Sequence, residues 1–458
     1  MKPVRGLMVL LFIICLFACK KENFTNSTAA ILNTSVDSLH FDTVFTSTGS
    51  VSQVFTIVNG NNKAIRINSV SLRGGAASPF KINVDGIPGP DVTNLEIAGN
   101  DSVYVFVTAM INPTTAQLPF IIRDSIEITY NGNKKSVQLD AFGRNAHFLR
   151  NTKITTSETW SDDLPYVIIG ALTVDTNAVL TINRGCRIFL HADAPFMING
   201  TLLVNGEKED SARVVFSSDR LDDPYRDFPA GYPGIIFNES SSNSVLNYTS
   251  INNAYQAIVV LEPSAGTKLT LNQVVIDNAY DAGIIGINST INATNLLISN
   301  CGKNLVLVKG GNYNFTHFTS VAYSNNFIQH SDPVLIATDY LGTLVRPLNA
   351  VFRNCIFWGE QNGLVPNEVV ISKQSSAGSV LFDQVLWRVQ SNPANTTINA
   401  AINNQFPLFD STGFSYRKFR LTDNSPAKNK GISTAVNLDL EGNPRPVGLP
   451  DLGAFEKQ

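Results

Sequence analysis

The chain has 458 residues, a net charge of −3 and only 16% charged residues. Without a clustered basic face this composition excludes a nucleic-acid partner, while the length allows two or three domains, each with its own core. Hydrophobic residues make up 43% and glycines number 31; no long stretch repeats apolar residues at i, i+3, i+4 and i+7, so short strands and tight turns are expected and helix is not.

Residues 1–18 read as a secretory signal: a basic head (Lys2, Arg5), an apolar run from Leu7 to Phe17, and Ala18 just before the cut. The run is too short to span a bilayer comfortably. Leu16-Phe17-Ala18-Cys19 resembles the bacterial lipobox, in which the cysteine becomes the mature N-terminus and carries lipid. That resemblance implies attachment through Cys19, a membrane partner through the lipid, and an outer-membrane lipoprotein on the periplasmic side or the cell surface. Residues 19–36, which open with Lys20, Lys21 and Glu22, read as a lipidated polar tether.

Residues 37–146 alternate apolar and polar positions between turn clusters. Phe55 and Ile57 lead into Asn59-Gly60, Val103, Val105 and Val107 follow Gly99-Asn100-Asp101, and Ile126, Ile128 and Tyr130 run into Asn131-Gly132. Roughly seven such runs over about a hundred residues predict a β-sandwich, and Asn131-Gly132 suits a two-residue hairpin turn. Residues 55–59, 99–107 and 123–132 resemble the Ig-like domains of the Hydin and choice-of-anchor families, which implies a spacer or docking module.

From 147 to 410 short apolar triplets recur, and a longer unit emerges. Leu246 to Ala254, with Ile251 and Asn253, is echoed by Leu271 to Ala279, with Ile276 and Asn278, and again by Ala293 to Cys301, with Ile298 and Asn300. A period in the twenties means one supersecondary unit stacked on itself. Two or three short β-runs per unit, turned at Asn and Gly, predict a right-handed parallel β-helix. Asn278 and its equivalents should then form an amide ladder, with Ala254, Ala279 and Cys301 packed small beside the turn. The expected fold class is therefore all-β, an Ig-like sandwich followed by a solenoid. The remaining cysteines, Cys186, Cys301 and Cys355, lie in or beside apolar runs and read as small buried hydrophobes.

The last segment, 411–458, carries Ser425-Pro426-Ala427, Asp439 to Pro446 and Asp451 to Glu456. It resembles the C-terminal segment of secreted pectate-lyase-like β-helix proteins, the choice-of-anchor Q type. On this reading it caps the open end of the solenoid.

Enzymes resembling this scaffold cleave polysaccharides; the lyases among them gather carboxylates on neighbouring rungs to bind Ca²⁺ and use Arg or Lys as base. Calcium needs several converging oxygens, and a hydrolase needs two carboxylates at a defined separation. The one dense candidate is Asp219 to Asp227, in the connection between the Val214 and Ile235 runs. Asp222, Asp223, Arg226 and Asp227 are its candidate catalytic or cation-binding residues, and Tyr225 and Tyr232 its stacking surfaces for sugar. Against chemistry stands the bland arrangement, a solvated loop whose Asp and Arg residues pair with one another. The five histidines are scattered, and no cofactor or metal is expected unless the lyase alternative holds, when Ca²⁺ would enter. The expected function is that of a non-catalytic, lipid-anchored envelope protein presenting a β-helix to glycan or another surface component. The alternatives are a polysaccharide lyase or glycoside hydrolase, and an architectural adhesin that binds no sugar.

Overall fold

A computed structural model describes residues 23–46, 49–112, 120–262, 266–412 and 419–458. Cys19, the signal segment and the first charges of the tether lie outside the described residues. The chain divides into two compact units, Met1–Asn145 and Ala146–Gln458.

The first unit holds two five-stranded sheets. One orders Leu32–Thr34, Gln53–Asn59, Asp101–Ala109, Phe80–Val84 and Ile87–Pro88; the other orders Ser38–Phe45, Asn133–Arg144, Phe120–Tyr130, Ile65–Leu72 and Asp91–Ile97. All pairings are antiparallel except that of Ser38–Phe45 with Asn133–Arg144. Alternation drives this packing: Phe55, Ile57, Val103, Val105 and Val107 from one sheet meet Ile65, Ile67, Ile126, Ile128, Val137 and Leu139 from the other in one core. Asn131 and Gly132 both take positive φ, 46° and 79°, as the hairpin turn requires.

The expected tether needs correction. From Phe24 onward it is structured: Phe24 bridges to Ala64, and Leu32 is fully buried opposite Asn59. Ala30 and Leu32 supply apolar area to the core, which a polar spacer could not.

In the second unit one sheet of 21 strands pairs entirely in parallel. Each strand from Tyr166–Val174 to Gln256–Leu261 lies beside the third one on, so the chain coils round three faces. The first face runs through Arg187–Leu190, Val214–Ser218, Thr249–Asn252 and Val275–Asp277. The second runs through Phe196–Ile198, Ile235–Phe237 and Gln256–Leu261. The third runs through Val179–Asn183, Thr201–Asn205, Ser244–Asn247 and Leu269–Asn272. Two long strands, Ala282–Ser299 and Lys303–Ala322, bend round the corners to join all three. The repeat read from the sequence is this rung: Leu246, Leu271 and Ala293 are register partners, as are Ile251, Ile276 and Ile298.

Inward side chains stack along the axis. One ladder runs Ile182, Val204, Leu246, Leu271, Ala293, Phe315, Phe352, Phe382, and its last three rings lie 5.4 and 5.1 Å apart. Each such side chain contributes about 1.5–3 kcal/mol on burial. Cys186, Cys301 and Cys355 sit buried and unbonded to one another in this interior, where burial pushes the Cys186 thiol up to about 11 and the Cys355 thiol to about 12. On the rungs from Ser244 onward the corner between the third and first faces is a single left-handed residue: Tyr248, Gln273, Asn295, His317, Asn354 and Gln384 all have φ between 42° and 61°. Asn tolerates that conformation better than most residues, which accounts for part of the Asn-rich texture.

The C-terminal segment does not cap the end of the coil as expected; it runs along the first face. There the apolar runs are continuous (Val274-Val275-Ile276, Leu296-Leu297-Ile298, Cys355 to Trp358), so residues point apolar groups outward as well as inward. Val275, Leu297, Val321, Ile356, Trp358 and Leu386 are covered by Leu421, Ala427, Leu440, Leu452, Ala454 and Phe455. The segment's charged motif residues lock it down. Arg445, fully buried, gives Nε to Glu456 Oε2 at 3.0 Å, Nη1 to Asn295 Oδ1 at 3.1 Å and Nη2 to the Gly453 carbonyl at 3.1 Å. Asp439 accepts the backbone N–H groups of Glu441, Asn443 and Glu456.

Removing one partner of such a pair leaves a buried, uncompensated charge. Arg445→Ala should therefore cost about 3–5 kcal/mol of unfolding free energy, read by urea denaturation; a loss below 1 kcal/mol would contradict this account of the flank.

Candidate functional site

The corner between the first and second faces is where the coil varies most. On three successive rungs it is short and tight, at Asn253, Asn278 and Asn300, with φ of 64°, 58° and 54°. One step of the expected ladder forms, Asn278 Nδ2 donating to Asn253 Oδ1 at 2.8 Å, and the loop residue Asn325 adds another, its Nδ2 donating to Asn278 Oδ1 at 3.2 Å. Asn300 departs from it, giving its amide to Asp277 Oδ1 at 3.3 Å. On the flanking rungs the corner swells into the loops 219–234, 323–334 and 360–368. The ladder also anchors the first of these, since Asn253 Nδ2 donates to the Arg226 carbonyl at 2.7 Å and Asn278 Nδ2 to that of Asp227 at 3.0 Å. The loops 219–234 and 323–334 meet through Phe228 and Phe327, ring centroids 4.6 Å apart.

The residues singled out in 219–234 are paired within their own loop. Arg220 grips Asp222 with two hydrogen bonds, at 2.8 and 2.9 Å, and lies over the Tyr225 ring at 4.1 Å. The bond from Arg220 holds the Asp222 carboxyl below its ordinary range. Arg226 Nε sits 2.9 Å from Asp223 and 3.9 Å from Asp227. Among the described residues no group of three or more His, Cys, Asp or Glu is placed to hold a metal ion. Tyr225 is 44% exposed. Tyr232 is a correction: at 1% exposure it offers no stacking face. Its backbone already pairs with Ala254 at the start of a rung, so its ring turns into the core, where burial raises its phenol.

Three arrangements at this corner escaped the sequence reading. First, His191 Nδ1 lies 2.7 Å from Asp219 Oδ2 on the next rung, and burial raises the Asp219 carboxyl above its ordinary range despite that partner. Second, Tyr255 and Tyr280, on successive rungs, stand 45% and 52% exposed with rings stacked 6.0 Å apart. Beside them Asp281 takes hydrogen bonds from Gln256 Nε2 at 2.6 Å and Lys303 Nζ at 3.0 Å. Burial opposes ionisation of Asp281, but these two bonds win and lower its carboxyl; the same bond from Asp281 raises the Lys303 ammonium, helped by Asp332 and Tyr255. Tyr255 and Tyr280 hold equivalent places in two copies of the repeat, two residues after Asn253 and Asn278, so that signal was present in the sequence. Third, His330, Glu368 and Arg388 form a buried cluster: His330 Nε2 is 3.0 Å from Glu368 Oε1, which also pairs with Arg388. His330 and Glu368 come from the loops and Arg388 from the end of the strand Val380–Trp387, so only folding brings them together.

No family model matches the sequence, and no curated protein matches it. Solved structures similar to it include a family 123 glycoside hydrolase from Clostridium perfringens, with 14% identity, 27% of this chain against 26% of that one, and a TM-score of 0.20. A PapD-like domain of human CEP192 shows 12% identity over 28% of this chain and 91% of that one, with a TM-score of 0.18. The catalytic unit of a GH87 α-1,3-glucanase from Streptomyces thermodiastaticus shows 10% identity over 77% of this chain and 89% of that one, with a TM-score of 0.27. The chain thus spans about a quarter of the family 123 enzyme it matches. Scores at this level do not establish a shared family.

Gly359 lies directly under the buried cluster, where a Cβ would stand 2.2 Å from His330 Nε2 and 2.3 Å from Glu368 Oε1. Gly359→Ala should overpack this site by roughly 1–3 kcal/mol. The expected readout is a lowered Tm in a thermal melt; an unchanged Tm would mean that the pair does not hold these two loops.

Proposed function

We propose that this chain is a lipid-anchored envelope protein that binds glycan and does not turn it over. In this reading Cys19 carries the lipid at the outer membrane, the two-sheet unit is an Ig-like spacer, and the three-faced coil is a right-handed parallel β-helix. The all-parallel pairing of the large sheet, with each strand from Tyr166–Val174 to Gln256–Leu261 beside the third one on, supports the β-helix, and crossovers between parallel strands are nearly always right-handed. The observation that carries the function is the exposed Tyr255–Tyr280 stack beside Gln256, Asp281 and Lys303. A sugar ring has an apolar C–H face that packs on an aromatic ring, and hydroxyls that need acceptors and donors at its edge; both are provided there. The internal pairing of Asp222, Asp223 and Asp227 favours a loop without catalytic duty.

A second reading, hydrolysis, is favoured by one contrast. Asp219 is raised by burial while Asp222, three residues on, is lowered by Arg220. Such opposed environments mark acid and base partners in glycosidases. Asp219 would protonate the leaving oxygen and Asp222 would act as nucleophile or base.

The full-length protein in detergent, tested on a glycan array and for release of reducing ends or unsaturated products, separates these. Binding without product is expected, with Tyr280→Ala weakening it roughly tenfold, about 1.4 kcal/mol. Product formation abolished by Asp219→Asn would replace the first reading with the second, and neither binding nor product would leave an adhesin.

A further inference from the structure

A cavity lies on the opposite side of the first face, at its corner with the third. On later rungs that corner is a single left-handed residue, but between Thr201–Asn205 and Val214–Ser218 it is the loop 206–213. The loop is fixed from below by Arg187, whose guanidinium donates to the carbonyls of Gly185, Arg213 and Asp210 at 3.1, 2.5 and 3.3 Å. Facing it is the turn 439–443 of the C-terminal segment, held by the Asp439 carboxylate through the N–H groups of Glu441 and Asn443 at 2.9 and 2.8 Å. Arg213 joins the two walls, donating to the Leu440 carbonyl at 2.6 Å and lying over the Tyr248 ring at 5.3 Å. The Lys208 stem closes one side against Gly442, where a Cβ would stand 2.8 Å from the Lys208 Cβ.

Between these walls is a cavity of about 660 Å³ lined by Lys208, Glu209, Ser211, Arg420, Glu441 and Asn443 among others. Past Arg420, Glu441 and Asn443 it adjoins a further cavity of about 340 Å³ that reaches Asp410 and Lys457. Ligand sites of this size are usually lined mainly by apolar side chains; the larger cavity has none. Its charges balance, with Lys208, Arg213 and Arg420 against Glu209, Asp210 and Glu441. Among the described residues, the Lys208 ammonium and the Glu209 carboxylate make no hydrogen bond or ion pair, which leaves a donor and an acceptor at the cavity. An apolar ligand would leave these groups desolvated without partners, and an ion of either sign would meet like charges in the lining as well as opposite ones. A chain of hydroxyl groups satisfies both signs, because each hydroxyl donates and accepts.

We infer that the cleft between loop 206–213 and turn 439–443 binds a short neutral oligosaccharide. It is separate from the Tyr255–Tyr280 platform and stands whether or not that platform binds sugar. The test is hydrogen exchange on the full-length protein in detergent, with neutral gluco-, manno-, galacto- and xylo-hexasaccharides and with hexagalacturonate as the acidic control. At least one neutral hexasaccharide should slow amide exchange in both 206–213 and 439–443. Ser211→Trp, which fills the cleft from an exposed position, and Glu209→Ala, which removes an acceptor, should each raise the apparent Kd at least roughly tenfold. Both should keep the wild-type Tm, and Tyr280→Ala should leave this footprint in place. Protection by the acidic sugar alone, no protection of the cleft by any neutral probe, or undiminished protection in Ser211→Trp would overturn the inference. A footprint confined to the Tyr255–Tyr280 turns would overturn it too, while sparing the platform.

Discussion

The second unit depends on one constraint: each rung must place its inward side chains on those of the rung below, in register. Parallel pairing fixes the spacing between neighbouring strands near 4.8 Å, so Leu246, Leu271 and Ala293 stack with no freedom to slip without exposing the whole set. Everything else accommodates that stacking. The corners must reverse the chain within very few residues, which is why left-handed Asn recurs at Asn253, Asn278, Asn295, Asn300 and Asn354. Variation is confined to places where the corner lengthens.

Where corners lengthen, chemistry collects. Loops 219–234 and 323–334 and the intervening tyrosines occupy one corner, and loop 206–213 occupies another. The asparagine ladder links scaffold and site directly, since Asn253 and Asn278 satisfy the rung above while gripping the loop carbonyls of Arg226 and Asp227. Rigid rungs thereby position irregular backbone, the usual relation between scaffold and binding surface.

Charged residues divide by burial. Arg445, Glu456, Asp439, His330 and Glu368 are buried; the first three bond backbone and one another and hold the C-terminal segment, while His330 Nε2 and Glu368 Oε1 join two loops. Asp223, Arg226 and Asp227 are solvent-facing, where pairing contributes little to stability. The most conspicuous motifs in the sequence, those of the last segment, therefore serve structure, and the less conspicuous Tyr255 and Tyr280 form an exposed pair beside the half-buried Asp281.

The sequence by itself determined the all-β character, the alternating strands of the first unit and the stacked repeat of the second. Those features are local: period-two alternation, Asn-Gly turns and a recurring Leu, Ile and Asn pattern are written within a single rung. The sequence also held the Tyr255 and Tyr280 spacing, legible once Asn253 and Asn278 are aligned. Only the tertiary structure decided that Tyr232 faces inward, that residues from Phe24 join the first sheets, and that the last segment covers a flank instead of an end. It alone paired His191 with Asp219 and His330 with Glu368. The reason is physical: which face of a strand is buried, and which distant loops meet, depend on the register and closure of the whole coil, and no single rung encodes either.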